Sequence, residues 1–89
     1  LLMALPMDQA MSPDAVILLA ECLGSVGRFD DAASRVMDAA DRQPENGALR
    51  FEAALWLQRA GRADEAVVWA EQAAKLGESR AKEWLESLP

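Results

Sequence analysis

Apolar residues fall into five stretches with helical spacing, divided by short polar or glycine-bearing turns. Val16, Ile17, Leu18, Leu19, Cys22 and Leu23 mark a helix over about 13–25. Ala32, Ala33, Val36, Ala39 and Ala40 then recur at steps of three and four, which predicts a second helix with one apolar face. It begins near Asp30-Asp31, and Pro44 stops it. The third stretch, about 47–60, holds Leu49, Phe51, Ala53, Ala54, Leu55, Trp56 and Leu57. A helix apolar on nearly all sides belongs in an interior. Two more helices follow, over about 64–76 and about 80–88, the last with Trp84, Leu85 and Leu88. No stretch reads as a strand.

The residues between these stretches support the same division. Ser12-Pro13-Asp14 is a strong helix start: a serine N-cap, a proline at the first helical position, and an acid at the positive dipole end. Asn46 can cap the third helix and Ser79 the fifth. Gly24 and Gly27 weaken and end the first helix, Gly61 closes the third and Gly77 the fourth. In Leu1–Leu5 one helical turn is possible, and Pro6 disrupts its continuation. Loops this short make consecutive helices antiparallel neighbours.

An internal echo organises the helices further. Gly27-Arg28-Phe29-Asp30-Asp31-Ala32 returns as Gly61-Arg62-Ala63-Asp64-Glu65-Ala66, and the same offset relates Ala20 to Ala54, Leu23 to Leu57 and Ala39 to Ala73. With this period the chain resembles tetratricopeptide repeat (TPR) proteins, whose unit is an antiparallel helix pair. In 13–46, Val16, Leu19, Ala20 and Leu23 fall at the family's W-x2-L-G-x2-Y positions. Phe29, Ala32, Val36, Ala39 and Pro44 continue the pattern. In 47–80 the matches are Ala54, Leu57, Gly61, Ala66, Ala70 and Ala73. There Arg50 replaces the first aromatic, Ala63 the middle one and Glu78 the proline. The resemblance implies an all-α, TPR-like α-α superhelix of about five helices in one domain. Residues 1–12 would be a tail, 13–46 and 47–80 the two repeats, and 81–89 a capping helix with Trp84 at its aromatic position. Leu19, Leu23, Phe29 and Val36 should fill the space around close contacts at Ala20, Ala32, Ala54 and Ala66.

Function would then lie in recognition. In this family the first helix of each pair lines a concave groove that binds a peptide or a partner's helix. The matching positions here are Asp14, Ile17, Glu21 and Ser25 in the first unit. In the second they are Ala48, Phe51, Leu55, Gln58 and Arg59, and Lys82 and Leu85 extend the line. The Lys, Asn and Arg set with which many members clamp a terminal carboxylate is absent. What remains is an apolar strip of Ile17, Phe51 and Leu55 edged by acids. A peptide or partner helix, a second copy of the chain, other parts of a larger parent protein, or residues 1–10 folding back could cover it.

Composition narrows the alternatives. The 89 residues carry a net charge of −6, which disfavours nucleic acid and anionic membrane surfaces. No apolar run is long enough to span a bilayer, and Leu1–Pro6 lacks the basic start of a signal peptide. There is one cysteine and no histidine, so a zinc site is not expected. A lone thiol fits cytosolic conditions. Cys22 reads as a small core residue without a histidine to activate it. Asp30-Asp31 and Asp64-Glu65 answer to helix dipoles, and Trp56 and Trp69 read as packing residues. No catalytic set and no cofactor motif is present. The expectation is a non-enzymatic protein-interaction scaffold within a larger protein; the alternative is a structural or self-associating segment.

Overall fold

The computed structural model describes residues 12–88. Over them the chain forms five helices: α1 (Pro13–Ser25), α2 (Phe29–Arg42), α3 (Gly47–Arg59), α4 (Ala63–Lys75) and α5 (Ser79–Glu86). No strand occurs among the described residues. Each helix packs on the next in chain order, giving an all-α stack of two hairpins followed by α5. The expected tail over residues 1–12 lies outside the described residues except for Ser12.

Local chemistry repeats with the 34-residue offset. The Ser12 hydroxyl accepts from the Ala15 amide at 3.2 Å, and the Asn46 side chain accepts from the Leu49 amide at 3.1 Å. Each satisfies an amide that the first turn would leave without a partner. The hairpin turns also match. Gly27 and Gly61 both take φ of 82°, a left-handed conformation that costs glycine little. Beyond them the amides of Arg28 and Arg62 donate to the carbonyls of Leu23 and Leu57, each at 2.9 Å. The fifth helix differs from expectation at its start. Glu78 is the capping residue and makes no side-chain cap bond, while Ser79 is already helical.

Small residues set the close contacts. Ala20, Ala32, Ala54 and Ala66 are fully buried, as are the larger Val36, Leu49 and Leu57. Fully burying a Val or Leu side chain contributes about 1.5–3 kcal/mol. Leu23 and Phe29 pack against this core from partly exposed positions. Leu19 is half-buried on the outer side of α1 rather than enclosed among the small residues. The third helix is the interior one: Leu49, Phe51, Ala53, Ala54, Trp56 and Leu57 are all buried.

Cys22 corrects the sequence expectation. It is exposed, not a core residue. It stands 34 positions before Trp56, on the side of α1 opposite its own hairpin partner. On α3 that side meets the preceding hairpin; on α1 no described residue takes the same place.

Candidate partner-binding face

Side-chain contacts tie α1 to α3 and α3 to α5. Trp56 of α3 makes the first link. Its indole lies against Gly24 of α1, where any β-carbon would collide with the ring. Phe29 of α2 stacks beside it at 6.4 Å between centroids. Gly24 therefore does not end its helix; it sits within α1 and makes room for Trp56. Arg80 of α5 makes the second link, with its guanidinium 5.0 Å from the centre of the Phe51 ring.

The eleven residues expected to line the groove divide by depth. Asp14, Glu21, Ser25, Gln58, Arg59 and Lys82 are exposed. Ala48 is half-buried, as are Ile17, Leu55 and Leu85, and these last three pack against core clusters. Phe51 is different: it is only 6% exposed and packs with Ala73 and Ala81, under α5. The apolar strip is thus interrupted, with its middle residue turned into a floor rather than a docking surface. α5 supplies the cover, because Ala81 is small enough to let it settle on α3 and α4.

Charge collects around this floor. Glu52 of α3 is half-buried, and burial raises its carboxyl above the usual carboxylate range. Arg80 and Arg59 pull the other way, and the nearby Glu21 adds to the rise. Arg59 stands 4.7 Å from the Trp56 ring centre. Two guanidiniums are therefore fixed on aromatic rings, an attraction worth about 0.5–1 kcal/mol at exposed sites. The Trp56 ring nitrogen is buried and closes on no acceptor at hydrogen-bond geometry, although the Glu52 carboxylate is close enough to feel the indole. Glu52, Trp56, Arg80 and Gly24 do not stand among the expected groove residues. A signal for them was available in part: Glu52 and Trp56 are four apart and so share a helix face.

A second charge group lies at the turns. Arg28 bridges Asp31 at 2.6 Å, and Arg62 bridges Glu65 at 2.6 Å. Arg62 also reaches Asp30 at 3.3 Å, tying the second turn to the start of α2. Its hydrogen bond holds the Glu65 carboxyl below its ordinary range and the Arg62 guanidinium above its own. These acids serve helix starts and ion pairs.

Among the described residues no group of three or more His, Cys, Asp or Glu could hold a metal ion. No described helix is long and apolar enough to cross a membrane. No family model, curated protein or solved structure matches the chain.

Proposed function

We propose that this chain is a protein-interaction scaffold of TPR-like design, taking an extended peptide or a partner helix on the face shared by α1, α3 and α5. One observation carries the reading. Half-buried Ile17, Leu55 and Leu85 lie on α1, α3 and α5, and α3 and α5 also carry two ring-mounted guanidiniums, Arg59 and Arg80. Half-buried apolar groups offer contact area, and guanidiniums held in place offer donors to carbonyl or carboxylate oxygens at reduced entropic cost. Catalysis is not part of the proposal: Asp30, Asp31, Glu65 and Glu78 are held in ion pairs with Arg62, Arg28 and Arg80.

Selection from a random peptide library on the immobilised full chain tests this reading. Enriched peptides should lose about tenfold or more in affinity with Arg59→Glu or Lys82→Glu. The exposed α2 substitution Asp41→Lys should leave affinity unchanged. No enrichment, or equal affinity in all variants, would reject the peptide face. The alternative, a structural or self-associating segment, is supported by the burial of Phe51, which removes part of the expected strip.

A further inference from the structure

Stepping 34 residues along the chain carries the outer side of α1 onto a side of α3 whose cover is visible. Ala15, Leu18, Leu19, Cys22 and Val26 become Leu49, Glu52, Ala53, Trp56 and Ala60. On α3, Leu49 and Ala53 are fully buried and Trp56 is 4% exposed, while Glu52 and Ala60 are half-buried. The preceding hairpin encloses Trp56, through Gly24 of α1 and Phe29 of α2, and α2 packs directly on α3. On α1 two of the corresponding residues, Ala15 and Leu19, are half-buried and the other three are open. Leu18 is 61% exposed and Val26 70%, and Cys22 is exposed as well. Half of a known interface is therefore present on α1, in the same register.

We propose that the outer side of α1 docks a further helical hairpin, held as α1 and α2 hold α3. A second copy of this chain does not supply that hairpin. The surface that would receive α1, built from Gly24, Phe29, Ala33 and Val36, is already filled by α3 in every copy. The equivalent surface of the second hairpin carries α5. The partner's chemistry follows from the size exchange across the interface. α1 offers Gly24 to the large Trp56; a hairpin facing the small Cys22 needs a large apolar residue where α1 has Gly24, because interiors pack without voids. This surface is separate from the peptide face, and its test does not depend on that reading.

Cys22 reports on the site. The probe carries a copy of residues 13–46 joined directly to residue 13 in place of residues 1–12, which keeps the 34-residue register, with Gly24→Leu and Cys22→Ser within the added copy. In the unextended chain Cys22 should react with a thiol reagent as an open thiol does, at all protein concentrations. In the extended chain its rate should fall about tenfold or more, and Leu18→Lys in the original α1 should restore it. An unchanged rate in the extended chain would overturn the proposal. So would protection in the unextended chain: concentration-dependent protection would place a second copy there, and concentration-independent protection would place residues 1–11 there. Thermal melts give an independent reading. Leu18→Lys should lower the midpoint of the extended chain and leave the unextended chain unchanged; equal shifts in both would also overturn it.

Discussion

Gly24 and Trp56 form a matched pair: the indole edge occupies the space that a side chain on α1 would need. Helix propensity alone favours Gly24→Ala by about 1 kcal/mol. The collision with Trp56 is expected to reverse that sign, because overpacking costs about 1–3 kcal/mol and the ring is confined by Phe29 and Arg59. Chemical denaturation should show Gly24→Ala destabilising in the native background. With Trp56→Leu already present it should become neutral or stabilising. Additive effects in this double-mutant cycle would show that the two residues are not coupled.

The fully buried alanines at the hairpin contacts give a second test. Ala32 and Ala66 occupy equivalent positions 34 residues apart and are both 0% exposed. Leucine at either site has no room, so Ala32→Leu and Ala66→Leu should each cost about 1–3 kcal/mol. Thermal melts of both variants check this. An unchanged midpoint in the pair would mean that the two hairpins do not close in the register described.

Helices and turns were legible in the sequence because they rest on short-range chemistry. Ser12 and Asn46 cap by a bond three residues long, and Gly27 and Gly61 are needed at their turns whatever surrounds them. The alanines were legible because the echo aligned them. Phe51 and Cys22 were misplaced because their burial depends on what lies across the stack. Phe51 is covered by α5, and Cys22 shares the register of Trp56 but faces no described partner. Gly24 was misread as a helix terminator because only its distance to a residue 32 positions away reveals its role. Glu52 was passed over for the same reason, since its surroundings come from α1 and α5.

The turn glycines separate backbone strain from crowding. A β-carbon at Gly27 or Gly61 would meet nothing within 4 Å, yet both residues hold φ of 82°. Alanine at either position is therefore penalised only through the left-handed backbone, by about 1–2 kcal/mol. The two substitutions should cost the same within error in denaturant unfolding, because their turns are equivalent. Asparagine, which tolerates this conformation better, should recover part of the loss. A cost at one turn and none at the other would break the equivalence of the two units.

Glu52 gives stability a pH dependence of known sign. Burial raises its carboxyl in the folded chain, outweighing the attraction of Arg80 and Arg59. Between its ordinary value near 4.3 and its folded value, the native state binds the proton that the unfolded state has released. Its contribution is therefore fully present below the unfolded value and is lost as pH rises through the folded one. At neutral pH the ionised, half-buried carboxylate works against folding. Glu52→Gln keeps the shape and removes the charge, so it should raise the melting midpoint at pH 7. At pH 3 the native carboxyl is protonated and the difference should vanish. Melts of both proteins at the two pH values check this. A variant less stable than the native chain at pH 7 would mean that the Arg59 and Arg80 attractions outweigh the cost of burial.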